Sequence, residues 1–237
     1  MSETPVVAFE HRAGNDPTRL EALRRLPLAT VGGRGVLAGV EGDLKWLGER
    51  FYLFHGPTGL ERLGSVAAID RERRGGRAAW LEELAEAGVP VLLELKHVPD
   101  APDHLGQTLD RLDLASRARL AGSSMACLDA VRGLGLPLVL FSPGLARGRA
   151  LHLPRVGVGR ALRHGVTVPA SSVHRIANTN VLSADRSSTL QRWAGALGAR
   201  WMPGAFRRPA TLERVVALGA DEVFPYGPLE VMVGGAS

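Results

Sequence analysis

Two carboxylates two residues apart, in the run Val40-Glu41-Gly42-Asp43, are the first groups in this chain whose spacing points to chemistry. On a β-strand the period of two sends both side chains to the same face. Like charges side by side repel, so such a pair either raises its own pKa values or recruits a cation. The run Leu92-Leu93-Glu94-Leu95-Lys96 repeats the pattern, with Glu94 and Lys96 sharing one face of an otherwise apolar stretch. Neighbouring strands lie about 4.8 Å apart, so Glu41, Asp43 and Glu94 can converge on one cation ligated by oxygen, which suits Mg²⁺ or Ca²⁺. The competing reading pairs Glu94 with Lys96 or an arginine and leaves Asp43 merely ending its strand.

Two histidines fall near the same place. His11-Arg12 closes a short apolar run that starts at Val6. An imidazole exchanges a proton near neutral pH, and a guanidinium holds phosphate through two parallel hydrogen bonds. After Asp43, two β-like runs flank Gly48, and a hairpin centred on Gly48 and Glu49 returns His55 to the level of Gly42 and Asp43. Taken alone, each signal has a bland alternative: a histidine after an aromatic run is commonly a packed side chain, and a second pair, His174-Arg175, falls in an expected loop. Gly157-Val158-Gly159 lacks the third glycine of a dinucleotide fingerprint, because Leu162 fills that place, and no Walker-type loop is present. Ser123-Ser124 lies in no nucleophile elbow and reads as a helix cap.

The elements that must carry these groups alternate from end to end. Strands are expected at Val6 to His11, Val36 to Asp43, Pro90 to Lys96, Arg119 to Ser123, Leu138 to Ser142, Gly165 to Ala170, Ala199 to Pro203 and Glu222 to Pro225. Helical patterns fall between them, as in Thr18 to Arg25, Ala78 to Ala87, Met125 to Leu134, Thr189 to Leu197 and Thr211 to Leu218. Gly88, Gly135, Gly165, Gly198 and Gly219 stand where a left-handed helix cap is needed. Eight such units predict a (β/α)₈ TIM barrel, one α/β domain over residues 1–237, with every strand's carboxyl end on a single face. An open doubly wound sheet has the same local pattern. After Pro228 the final helix is expected to be brief or missing.

Composition narrows the class. With 45% hydrophobic and 22% charged residues the chain has ample material for a core, which excludes disorder. The single cysteine, Cys127, excludes an intrachain disulfide and a thiolate zinc site. The apolar run near the N-terminus is too short for a signal peptide or a span, so a soluble cytoplasmic protein without stable membrane insertion is expected. The formal charge of +5 is spread as arginine over helices, as at Arg24, Arg25, Arg111, Arg117 and Arg192, with one cluster at Arg71, Arg73, Arg74 and Arg77. Without interleaved aromatics this reads as solvated helix surface, and nucleic acid is not expected as a partner. Oligomeric state is not legible.

Taken together, the ordered residues resemble the glycerophosphodiester phosphodiesterase family. Its opening His-Arg is similar to His11-Arg12, its Glu-x-Asp strand to Glu41-Gly42-Asp43, its histidine after a hairpin to His55 and its Glu-x-Lys strand to Glu94-Leu95-Lys96. Ala79 to Leu84 is similar to the helix before that last strand. The resemblance spans Val6 to Lys96 and continues beyond it only as strand and helix rhythm. It implies a metal-dependent barrel in which Glu41, Asp43 and Glu94 hold one Mg²⁺ or Ca²⁺. His11 and His55 would then be general acid and base, and Arg12 and Lys96 would hold the phosphate of a small glycerophosphodiester. A non-catalytic barrel binding a metal or ligand, or a phospholipase D- or C-like activity on the same site, are the alternatives. The chain departs from the family at Ala13, at Asn15-Asp16-Pro17-Thr18 in place of Glu-Asn-Thr, and at Gly56 in place of an acid. The segment between His55 and Glu94 is short for the family. Met202-Pro203-Gly204 and Pro225-Tyr226-Gly227 replace its later strand motifs.

Overall fold

The computed structural model describes residues 4–122, 125–142, 175–178 and 200–234. Its strands, in chain order, are β1 (Val6–Glu10), β2 (Ala29–Val31), β3 (Arg34–Leu47), β4 (Arg50–Phe54), β5 (Ala78–Trp80), β6 (Val91–Leu95), β7 (Ala118–Gly122), β8 (Leu138–Ser142), β9 (Arg175–Asn178), β10 (Arg200–Phe206) and β11 (Glu222–Pro225). The described helices are α1 (Pro17–Arg24), α2 (Val66–Arg74), α3 (Leu81–Glu86), α4 (Pro102–Arg111), α5 (Met125–Val131), α6 (Pro209–Ala217) and α7 (Leu229–Gly234).

Parallel pairing runs β1-β3-β6-β7-β8-β9-β10-β11, and β11 pairs in turn with β1, which closes the ring. The closed α/β barrel is therefore the observed arrangement, and the open sheet is not. The expected strand at Gly165 to Ala170 and the helix at Thr189 to Leu197 lie outside the described residues. Among the described residues, the place in the ring between β8 and β10 belongs to Arg175–Asn178.

The sequence of β6 shows why the ring forms. Val91, Leu93 and Leu95 point outward into a layer with Leu84, Leu105, Leu109 and Leu128. Leu92 points inward among Phe9, Ala121, Val139, Phe141, Met202 and Phe224. A strand buried on both faces reads as a continuous apolar run, as parallel barrel strands do. The same alternation puts Glu94 inside, above Leu92, at the carboxyl end. Gly39 stands opposite Phe9 in the register, and a Cβ there would lie 2.9 Å from Phe9 Cδ1, so the missing side chain makes room for the ring.

Antiparallel additions extend β3 past the ring. Leu47 pairs with Arg50, leaving Gly48, at φ 58°, and Glu49 as a two-residue turn. Leu44 faces Leu53, so His55 comes back beside Gly42, as the spacing predicted. One expectation fails here: Ala78 to Trp80 is a strand paired with β4, and the helix covers only Leu81–Glu86. Burying Trp80 against Tyr52 outweighs the helical preference of two alanines. The last described helix, α7, is six residues long. Among the described residues no helix is long and apolar enough to cross a membrane.

Candidate metal centre

Register decides the geometry of the site. Asp43 on β3 lies directly opposite Glu94 on β6, and Glu41 precedes Asp43 by one period on the same inward face. All three are buried, at 0%, 1% and 8% exposure, and one oxygen from each lies within 4.8 Å of the others. The carboxylates predicted to converge are thus together at the carboxyl end of the barrel.

Their surroundings leave part of this charge uncompensated. Lys96 Nζ sits 2.5 Å from Glu94 Oε1 and 3.4 Å from Asp43 Oδ1, so the ion pair foreseen as the alternative reading does form. It supplies one ammonium against three carboxylates. Glu41 Oε2 accepts the backbone N–H of Arg12 at 2.7 Å, whereas Glu41 Oε1 is buried without a hydrogen-bond partner among the described residues. Asp43 Oδ1 likewise accepts no hydrogen bond. Burial, reinforced by Asp43 and Glu94, pushes the Glu41 carboxyl well up, and burial also raises Glu94 against the pull of Lys96. Two buried carboxylate oxygens without a hydrogen bond among the described residues, Glu41 Oε1 and the ion-paired Asp43 Oδ1, belong to an all-oxygen set that a hard divalent cation would satisfy.

The turn after β1 brings in the remaining groups. Arg12 adopts the left-handed φ of 60°, unusual outside glycine, and this aims its N–H at Glu41. Its guanidinium Nη2 meets His55 Nε2 at 2.6 Å. His11 lies stacked on Tyr226, with ring centroids 3.8 Å apart, and edge-on to Phe224. Burial, with Arg12, His55, Lys96 and Arg207 adding to it, lowers the His11 pKa to about 3, and burial also lowers that of His55. Both shifts favour the neutral imidazole.

The structure adds three residues that the sequence did not mark as site residues. Asn15 Nδ2 donates to Asp43 Oδ2 and Asn15 Oδ1 accepts from Asp43 N, each at 3.3 Å, so the segment that departs from the family motif still steadies the acid. Tyr226 follows the last strand, and only its position at a strand's carboxyl end could have marked it. Lys45 continues the series 41, 43, 45 on one face and is fully buried. Ser123 and Ser124 lie outside the described residues.

Two expected results follow from these contacts. A Cβ on Gly14 would lie 2.9 Å from the carbonyl oxygen of Glu41, a backbone atom that cannot rotate away. Gly14→Ala should lower stability by about 1–3 kcal/mol in urea unfolding. Acid dependence gives the second. A histidine whose folded pKa is lowered contributes stability that is fully present above the unfolded value of about 6.5 and is lost as pH falls toward the folded value of about 3. In denaturant unfolding from pH 6.5 to 4, His11→Phe, which keeps a ring against Tyr226, should flatten the fall in stability by at most about 1.4 kcal/mol per pH unit.

An eight-stranded parallel ring with acids gathered at its carboxyl mouth defines a (β/α)₈ barrel with a candidate metal centre. Solved structures with the same fold include a protein assigned as a glycerophosphoryl diester phosphodiesterase from Agrobacterium tumefaciens, 18% identical, with TM-score 0.69 over 97% of this chain and 96% of that one. The glycerophosphoryl diester phosphodiesterase domain of a Mycobacterium tuberculosis protein is 15% identical, with TM-score 0.62 over 97% and 98%. An Oleispira antarctica phosphodiesterase in complex with the product sn-glycerol-3-phosphate is 14% identical, with TM-score 0.58 over 99% and 98%. Likeness at such identities establishes the shared fold. No protein-family model matches the sequence, and no curated protein matches it.

Proposed function

We propose that this chain is a phosphoric diester hydrolase acting on a small glycerophosphodiester with one divalent cation, Mg²⁺ or Ca²⁺, held by Glu41, Asp43 and Glu94. The observation that carries this reading is the buried, incompletely paired carboxylate cluster beside two imidazoles shifted toward the neutral form. The fold neighbours support it, one of them in complex with sn-glycerol-3-phosphate.

When bound, the cation would neutralise charge on the nonbridging phosphoryl oxygens. Lys96 and Arg12 hold the phosphate, Arg12 exchanging its contact with His55 for the anion. One imidazole of the pair His11 and His55 takes the proton of the attacking water. The other, protonated when the anion binds, gives a proton to the leaving alkoxide as its P–O bond breaks. Asn15 keeps Asp43 in place, and Tyr226 keeps the His11 ring in plane with its stack.

In this reading the barrel is one domain over residues 1–237 of a cytoplasmic protein of glycerophospholipid metabolism that binds small phosphodiesters and no nucleic acid. The test is turnover of glycerophosphodiesters and of an aryl phosphodiester by the purified chain. EDTA should abolish it and Mg²⁺ or Ca²⁺ should restore it. Hydrolysis indifferent to EDTA would contradict the reading. Cation binding without hydrolysis of any diester would favour the non-catalytic barrel, to which Gly56 already lends weight. Release of a phospholipid head group, followed by phosphorus NMR, would point to phospholipase chemistry.

A further inference from the structure

His55 is followed by Gly56, so no side chain at the next position can steady its imidazole. The space above Gly56 is already taken: a Cβ there would lie 2.5 Å from Glu61 Oε2 and 2.8 Å from Glu61 Cδ. The loop from Gly56 to Glu61 instead folds back over the histidine. Gly59 has φ 77°, and a Cβ on it would lie 3.0 Å from His55 Nε2, so the loop passes beside the ring with no room for a side chain between them. Gly59 N–H donates to the Gly56 carbonyl at 3.0 Å within the loop, and the tie from Gly59 to the barrel is Lys45, whose Nζ donates to the Gly59 carbonyl at 2.6 Å.

Lys45 is otherwise hard to account for. It is fully buried, it extends from the strand that carries Glu41 and Asp43, and the proposed chemistry does not use it. A buried ammonium is costly unless it is hydrogen-bonded and near opposite charge. Among the described residues, Gly59 O is the hydrogen-bond acceptor of its Nζ; burial lowers the pKa of the ammonium, against the pull of Asp43 and Glu94. Leu60, next to Gly59, is tied from the other side by His97 Nε2 to its carbonyl at 2.9 Å. The loop is therefore fastened at two successive carbonyls, one contact coming from β3 and one from the segment after β6.

We propose that Lys45 is a positioning residue for His55: through the Gly59 carbonyl it clamps the loop from Gly56 to Glu61 against the imidazole and fixes the ring in the orientation that meets Arg12. This inference rests on the hydrolase reading for its catalytic consequence, and its structural core is tested separately.

The experiment is NMR of ¹⁵N-labelled protein with assigned histidine rings and lysine ammonium groups. In the parent chain the Lys45 ammonium should be protected from solvent exchange and show a contact to Gly59. A freely exchanging ammonium would overturn the proposal, whether or not any variant folds. In Lys45→Met, which keeps the stem and removes the donor, the His55 ring signals should shift or broaden while those of His11 stay in place. Unmoved His55 signals in a folded Lys45→Met would also overturn it. Turnover separates the two readings: kcat should fall at least about tenfold, with KM and Mg²⁺ affinity within about twofold, because displacing a reacting group by about 1 Å costs up to about 10²-fold. A parent chain with no turnover sinks the hydrolase reading and leaves the NMR result to decide the role of Lys45. A fall in Mg²⁺ affinity matching the fall in kcat would show that Lys45 acts on the acid cluster and not on His55, which contradicts the proposal.

Discussion

Glu41→Gln is expected to raise the melting temperature of the cation-free protein and to remove the stabilisation that Mg²⁺ or Ca²⁺ gives the parent chain. Both effects have one cause. Glu41 has one carboxylate oxygen hydrogen-bonded to Arg12 N and another that is buried without a hydrogen bond, within 4.8 Å of two more acids. Its carboxyl is raised well above the ordinary value by burial first and by Asp43 and Glu94 second. A carboxylate whose folded pKa is raised lowers stability increasingly as pH climbs from the unfolded value toward the folded one. Glutamine carries no charge and removes that burden while keeping the shape. A cation at one hundred times its dissociation constant stabilises a native state by about 2.7 kcal/mol. The parent chain should show a gain of that order in thermal unfolding with and without cation, and the variant almost none. If the variant responds to cation as the parent does, Glu41 is no ligand.

The second large effect concerns the imidazoles. His11→Ala should lower kcat by about 10²–10⁴-fold, the range for loss of a positioned general acid or base, while the cation titration remains that of the parent chain. Among the described residues His11 stacks on Tyr226, meets Phe224 edge-on and makes no hydrogen bond to the acid cluster, so the split between chemistry and metal affinity is built into its position. His55→Ala should act in the same direction, with an added change in KM because Arg12 loses its resting partner. Steady-state kinetics on a small phosphodiester, with cation affinity measured in parallel, checks both. A His11→Ala enzyme with unaltered kcat would remove His11 from the mechanism.

The carboxylate cluster was legible because it depends on a period of two and on strand adjacency, both local properties. Once Val40 to Asp43 and Leu92 to Lys96 are strands, their parallel pairing sets Asp43 against Glu94. The hairpin was legible for the same reason, since Gly48 and Glu49 fix the register that returns His55. Ala78 to Trp80 was misread because its state is set by pairing with β4, a partner some 25 residues away in sequence. Asn15 and Tyr226 carry no local pattern at all. Each acquires its place from a long-range contact, Asn15 through Asp43 and Tyr226 through His11, and no spacing along the chain encodes either. Lys45 stands between these cases: the face it shares with Glu41 and Asp43 follows from the period, but its bond to Gly59 depends on how the later loop folds.

Anomalous diffraction from crystals soaked in Mn²⁺, as a stand-in for Mg²⁺ or Ca²⁺, tests the metal centre most directly. A single strong peak is expected among Glu41, Asp43 and Glu94, at about 2.0–2.6 Å from one oxygen of each, with the Lys96 ammonium displaced from Asp43. No peak there at saturating Mn²⁺, with Lys96 still resting on Glu94 and Asp43, would contradict the account.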